Sequence, residues 1–145
     1  MSEFSDYLET SLINHIFRGT TFTSPSSIYI ALFTSNPTDL LGSTTGEVLA
    51  SGTWTDYERK DAAVGGTIQS GWAAPGASDG TTSNAKVITF DANNGSAQVT
   101  VTHIGIFDAA AAGNLLFHSP LATDKVLLQG DVLSFGVGSI TVTLD

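Results

Sequence analysis

Short segments rich in β-forming residues, separated by turn signals at close intervals, fill most of this chain. The predicted strands span residues 28–34, 59–64, 86–90, 97–107, 115–117, 125–128, 132–135 and 140–144. Many short strands with regular turns are typical of antiparallel sandwiches and barrels. At 145 residues the chain has the length of one domain. The sequence therefore predicts a mainly β fold, an antiparallel β-sandwich or jelly-roll-like single domain over residues 1–145 with one short N-terminal helix.

In two of these predicted strands, the pattern of apolar residues predicts which faces are buried. Residues 28–34 are almost uninterruptedly apolar, which is typical of a strand that is covered on both faces. In a later strand the apolar positions change face, because Val99 and Val101 point one way while Ile104 and Ile106 point the other. A shift of one residue indicates a β-bulge or a strand end that is buried on both sides.

Residues 1–19 are predicted to hold the helix. Large apolar side chains recur there at every fourth position, at Phe4, Leu8, Leu12 and Ile16. A serine near the start can cap the helix, and Gly19 can end it. A helix this short is marginal alone, so its apolar face must be buried. We expect that face to pack on the domain's own sheet or, alternatively, on a partner.

Residues 35–55 and 70–83 form two long loops, with no clear period and many Thr, Ser and Gly residues. Loops of this length in a compact domain are usually functional or flexible. Their apolar side chains would gain little from free solvent, and aromatic residues are enriched in interfaces. The candidate interface residues are Leu40, Leu41, Trp54, Trp72 and Pro75. For the two tryptophans three roles stay open: subunit contact, stacking on a sugar, or filling one end of their own sandwich.

The charge balance limits the possible partners. Fourteen acidic residues face five basic ones, which gives a net charge of −9. Nucleic-acid affinity depends on Lys and Arg that neutralise phosphates, so we expect no nucleic-acid partner. No segment approaches the ~20 apolar residues needed to span a bilayer, and the acidic start lacks a signal-peptide core, so we expect no membrane association. The absence of cysteine excludes disulfides and thiolate metal sites.

No arrangement of residues indicates catalysis. His103 and His118 lie on neighbouring predicted strands, but a metal needs a third close ligand, and the spacings typical of zinc are absent. Ser119 directly follows His118, so on a strand the two side chains point to opposite faces. Residues 91–95 lack the closing glutamate of a calcium loop and are better explained as a hairpin turn. We predict no catalytic residue, no cofactor and no metal, and a protein that is not an enzyme.

Several blocks of sequence resemble a known family. Residues 102–108 read THIGIFD and residues 113–121 read GNLLFHSPL. With the segments at 7–16, 28–34 and 140–145, they resemble small tailed-bacteriophage virion proteins commonly labelled phage tail fibre proteins. The resemblance covers nearly the whole chain and implies a structural component of a virus particle, made in the host cytoplasm and incorporated into the virion.

Two functions follow as expectations. The first is a small capsid decoration (cement) protein that binds the major capsid protein as a homotrimer and stabilises the shell. This expectation is favoured because the chain lacks the repeats or heptads that would build a fibre shaft. The alternative is a tail fibre or baseplate-associated component that engages another tail protein or a host receptor glycan. A free carbohydrate-binding module is a third possibility.

Overall fold

Antiparallel strands form most of the structure. The computed structural model describes residues 3–40, 42–48, 54–76 and 80–144. In that part of the chain the strands are β1 (Glu3–Phe4), β2 (Tyr29–Phe33), β3 (Lys60–Asp61), β4 (Thr81–Ser83), β5 (Ile88–Thr89), β6 (Val99–Phe107), β7 (Leu115–Leu127), β8 (Ser134–Phe135) and β9 (Thr141–Thr143). The helices are α1 (Asp6–Arg18) and the short α2 (Ile68–Gly71). The predicted fold class, mainly β with an N-terminal helix, is confirmed.

The main sheet has five antiparallel strands in the order β1-β7-β6-β2-β3. At its centre β6 pairs with β2 along the whole of β2, from Phe107 opposite Tyr29 to His103 opposite Phe33. On its other side the register of β6 against β7 shifts between Val101 and His103. The predicted irregularity in this strand is thus confirmed, and it lies where the apolar alternation changes face.

Strand β7 is one continuous strand of 13 residues. The prediction of two separate strands, at 115–117 and 125–128, is therefore wrong. Pro120 lies between those two segments. Proline lacks an N–H group and is tolerated in sheets at edges and bulges. Both conditions hold for the described residues, since Pro120 pairs opposite His103 directly after the register shift, and the described part of β1 pairs only with Phe117 and His118. The strand therefore continues through the proline.

Two ladders of two strands each, β4 with β9 and β5 with β8, form a second layer. Ile88 of β5 and Val142 of β9 belong to the same buried cluster as Ile30 of β2 and Ile106 of β6. The main core therefore lies between the large sheet and the two ladders. The domain is a sandwich of unequal layers, in which the second layer is two separate ladders instead of one continuous sheet.

Strand β2 is buried on both faces, as predicted. Ile30 and Leu32 point into the main core, whereas Ala31 and Phe33 belong to a second cluster with Phe107 and Leu115. These four of the five residues of β2 are 0% exposed. Because successive strand residues face opposite sides, the second cluster lies on the other face of the main sheet.

Gly105 of β6 lies against this second cluster. A Cβ atom there would lie 2.7 Å from the Phe33 ring and 3.0 Å from the Leu115 side chain. Overpacking a core costs about 1–3 kcal/mol, so Gly105→Ala is expected to lower the free energy of unfolding by about that amount in urea denaturation. Gly136→Ala is the matched control, because its Cβ would meet nothing within 4 Å. An equal loss in both variants would contradict the packing explanation.

The turn before β6 is closed by a buried asparagine. The Asn93 side-chain oxygen accepts a hydrogen bond from the Gly95 N–H at 3.0 Å. Its amide group donates to the carbonyls of Ala97 at 3.1 Å and Leu127 at 3.0 Å. These bonds join the turn to the end of β7. The predicted turn is present, but the predicted hairpin is wrong, because β5 before the turn pairs with β8, whereas β6 after it pairs with β2 and β7.

Candidate interaction surface

The sequence around α1 specifies both ends of the helix. Ser5 precedes the helix with an extended backbone, and its hydroxyl oxygen accepts a hydrogen bond from the Leu8 N–H at 3.3 Å. Gly19 adopts the left-handed conformation with φ 69°, and its N–H donates to the Asn14 carbonyl. Ser5 also joins the helix to the sheet, because its N–H donates to the Leu116 carbonyl at 3.0 Å. The predicted N-terminal helix is thus confirmed, but it begins at Asp6, and Phe4, which was predicted on its apolar face, lies in β1 opposite Phe117.

Only the first half of α1 buries a large apolar side chain in the domain. Leu8 is 5% exposed, whereas Ile13, Ile16 and Phe17 are 57%, 67% and 78% exposed. The three exposed residues are spaced i, i+3 and i+4, so they lie on one face, which we call the helix stripe. Clustered apolar groups on a surface are typical of interaction sites. In the described part of the chain, this half of the helix does not bury its apolar face on the domain's own sheet, as the first expectation required.

An apolar groove of about 690 Å³ is lined by residues of α2, β4, β9 and the main sheet. None of its described lining residues carries a charge. They include Ile28, Ile68, Trp72, Pro75, Ile106, Leu116, Phe117, Val142 and Leu144. We call it the Trp72 groove. Binding pockets are typically apolar and have volumes of roughly 300–1,000 Å³, so this groove has the size and composition of a binding site.

Backbone pairing holds Trp72 at the groove. The residue forms an isolated β-bridge with Asn84. Next to it, the Ala73 N–H donates to the Ser83 carbonyl at 2.8 Å. The segment 70–83 was predicted as one long loop, but it contains the end of α2 and the strand β4. Trp72 and Ala73 pair next to β4, so the indole has a defined place in the groove wall.

The structure separates the five predicted interface residues. Trp72 and Pro75 both line the groove. Leu40 is 65% exposed but does not line it. Leu41 lies outside the described residues. Trp54 is 0% exposed within the main core, which matches the third possibility for it, filling its own sandwich.

Of the helix stripe, only Ile16 was predicted on the apolar face, although the sequence carries a signal for the other two residues. Ile13 and Phe17 are four residues apart and lie beside the predicted apolar positions Leu12 and Ile16. The apolar face of the helix is therefore broader than a single row of side chains. A helix that touches a sheet along only part of this face leaves the remainder exposed.

A buried ion pair attaches the first long loop to the sheet. Arg59 donates to the Glu47 carboxylate through Nε at 2.7 Å and through Nη2 at 2.8 Å. Its guanidinium carbon lies 3.5 Å from the centre of the Phe107 ring. Through Nη1 it also donates to two carbonyls of the alanine-rich turn after β6. Residues 42–48 are therefore held to the domain instead of extending from it as a free arm.

Tyr57 belongs to the same buried group. Its hydroxyl oxygen accepts a hydrogen bond from the Leu32 N–H at 3.0 Å, and its O–H donates to Glu47 at 3.2 Å. Burial first, and the Glu47 carboxylate second, raise the pKa of Tyr57. The phenol therefore stays neutral and acts as a hydrogen-bond donor that holds the loop.

In the part of the chain that the structure describes, three potential metal ligands meet at one place. Nε2 of His118 lies 2.5 Å from Asp39 Oδ1 and 3.8 Å from Glu3 Oε2. Nδ1 of His118 is buried and has no hydrogen-bond partner among the described residues. A metal-bound histidine normally donates its second N–H to an acceptor, so the group fits a histidine–carboxylate pair better than a metal site. His103 is not a member of this group of three residues. Its pKa is lowered, first by burial and second by the charge of His118.

Comparison with known protein families gives a match over nearly the whole chain. A family model described as podophage GP4 fiber I protein gp80 matches residues 3–143. No curated protein matches the chain. Among the described residues, neither helix is long and apolar enough to cross a membrane. Because the match spans nearly the whole domain, the chain belongs to the podophage GP4 fiber I protein gp80 family, a family of phage virion fibre proteins.

Proposed function

We propose that the chain is a non-enzymatic structural subunit of the phage tail-fibre assembly, which binds other virion proteins through the Trp72 groove and the helix stripe. The observation that carries this proposal is a groove whose described lining is apolar and uncharged, on a chain whose net charge is −9. A soluble chain gains nothing from leaving such a surface in water. Membership of a fibre family supports the tail-fibre alternative over the decoration role that was expected first.

A binding role fits the groove better than a catalytic one. Besides the indole N–H of Trp72, which is buried and has no hydrogen-bond partner among the described residues, the polar side chains of its described lining are those of Gln69 and Thr82. The Thr82 hydroxyl is engaged, because it donates to the Ala73 carbonyl at 2.6 Å. Catalysis requires preorganised donors, acids or bases aimed at a reacting group, and this lining offers few of them. The proposed function therefore involves no chemical step and no cofactor.

The partner that suits this groove is a protein surface. A glycan carries many hydroxyl groups, which would lose their water without gaining polar partners in an apolar groove. Nucleic acid is disfavoured by the net charge of −9. Trp54, one of the two proposed sugar platforms, is buried. These observations support binding to another tail protein or to further copies of the chain.

Capsid decoration is the second candidate, favoured by the small single domain without shaft repeats. In that role a homotrimer would bind the major capsid protein, and the Trp72 groove and the helix stripe would form the contacts. The two candidates differ in stoichiometry, because a shell offers many equivalent sites and a tail offers few.

Quantitative mass spectrometry of purified particles separates the candidates. A tail-fibre subunit is expected at a few to a few tens of copies per particle, measured against the major capsid protein. One copy per shell subunit, or one trimer per local three-fold axis, would instead establish decoration. Absence of the protein from particles would overturn both candidates. Particles stripped of tails provide the control, because they should lose a tail-fibre subunit and retain a decoration protein.

A further inference from the structure

We infer that copies of this chain join by a helix-in-groove contact, in which the helix stripe of one copy (Ile13, Ile16 and Phe17) enters the Trp72 groove of a second copy. The inference rests on the proposed structural role and names the partner of the same surface. The contact is heterologous, because each copy contributes two different surfaces.

The shapes and spacings of the two surfaces match a known mode of recognition. An amphipathic helix that docks into an apolar groove is anchored at positions i, i+3 and i+4, which is the spacing of Ile13, Ile16 and Phe17. All three side chains are more than half exposed. The groove has a volume of about 690 Å³ and an apolar wall that includes Trp72 and Phe117. One chain thus carries both a convex and a concave apolar surface.

Electrostatics favours this pair of surfaces for contact between copies. Two chains of net charge −9 repel each other, so association is easiest where acidic groups are absent. The described lining of the groove is uncharged. The last turn of α1 carries His15 and Arg18, whereas its acidic residues Asp6 and Glu9 lie at the other end. A basic helix end is attracted to an acidic chain and brings no carboxylate into the groove.

The area that can be buried also favours a heterologous contact. An exposed stripe of three side chains is a patch on the order of a few hundred Å². A single contact that involves one stripe falls short of the roughly 800 Å² per partner of a standard interface. In a stripe-on-stripe dimer each copy buries only its stripe, whereas in a helix-in-groove ring each copy buries its stripe against one neighbour and its groove against another. Closed rings, such as the predicted homotrimer, follow if the rotation between copies closes.

Sedimentation velocity of the full chain over a concentration series tests the contact. Phe17→Glu removes an anchor of the stripe, and Ala74→Glu places a carboxylate on the groove wall. Both positions are exposed, so the fold should be retained, which circular dichroism checks. Each variant is expected to weaken self-association at least about tenfold. Val137→Glu adds the same charge at an exposed residue that lines no part of the groove, and should leave association unchanged.

Mixing the variants distinguishes a heterologous contact from a symmetric one. Phe17→Glu retains an intact groove, and Ala74→Glu retains an intact stripe. A mixture of the two is therefore expected to form a heterodimer through one remaining contact, whereas each variant alone stays monomeric. If stripes packed on stripes, the mixture would show no such rescue, and the inference would be wrong.

The chain contains no cysteine, so single cysteines report the contact directly. Under mild oxidation, a mixture of Phe17→Cys and Ala74→Cys is expected to give a disulfide-linked heterodimer. Val137→Cys mixed with Ala74→Cys is the control and should give little product. Predominant linkage of Phe17→Cys to itself would overturn the inference.

Failure of this inference can be told apart from failure of the proposed function. A wild-type chain that stays monomeric at all concentrations, yet is present in particles at tail stoichiometry, would overturn only the contact between copies. The groove would then hold a different virion protein. A chain that forms the predicted contact but is absent from particles would overturn the virion role and leave the contact standing.

Discussion

Replacing Trp54 with alanine is expected to lower the free energy of unfolding by about 3–5 kcal/mol. The indole is 0% exposed in the main core, and its ring meets Tyr57 edge-on with 5.6 Å between centroids. Removing it leaves a cavity that the surrounding sheets can fill only in part. Urea denaturation of wild type and variant, compared at equal m values, measures the loss. Trp54→Phe keeps an aromatic ring and is expected to lose less.

Leu40→Ser is the matched control for this result. Leu40 was predicted to belong to the same interface, but it is 65% exposed, so the variant should stay within about 0.5 kcal/mol of wild type. If instead Trp54→Ala kept wild-type stability and blocked assembly, Trp54 would be an interface anchor and its buried position would be wrong. The pair of variants therefore separates a core role from a contact role.

Replacing Arg59 with alanine is expected to destabilise the fold by about 3–5 kcal/mol, because it leaves an uncompensated carboxylate in the interior. The side chains of Arg59 and Glu47 are each 4% exposed. The variant also removes the contact with the Phe107 ring and two hydrogen bonds to the turn after β6. Chemical denaturation measures the loss, and hydrogen exchange should show faster opening of residues 42–48.

The neighbouring residue provides the control. Lys60 pairs with Glu58 and Asp91, whose side chains are 69% and 55% exposed. Surface pairs contribute roughly 0–1 kcal/mol, so Lys60→Ala should have a small effect. A double-mutant cycle of Arg59→Ala with Glu47→Gln should show strong coupling between the two sites. Equal losses for Arg59→Ala and Lys60→Ala would contradict the buried ion pair.

Local patterns predicted much of the fold. The change of face between Val101 and Ile104 located the irregularity in β6, because side-chain alternation is a property of the strand itself. The continuous β7 was missed, because only pairing with β6 carries the strand through Pro120. The ion pair between Arg59 and Glu47 was also missed, since it joins residues that share no local pattern. Such contacts form only when the tertiary fold brings segments that are distant in sequence next to each other.

The Trp72 groove was likewise predictable only in part. Trp72 and Pro75 were predicted as interface residues from their apolar character in a polar loop, and both line the groove. The other walls of the groove come from strands distant in sequence, including Ile106 of β6 and Val142 of β9. No sequence pattern brings these positions together, so the groove could not be predicted.

The sequence by itself determined where most of the strands form and where α1 ends, and its lack of cysteine excludes disulfides within the chain. Only the tertiary structure decided which apolar side chains are core and which are surface. Trp54, in a polar segment, is fully buried, while Phe17, on a well-patterned helix, is 78% exposed. Hydrophobicity states what a side chain gains from burial, but the packing of distant elements decides whether it is covered.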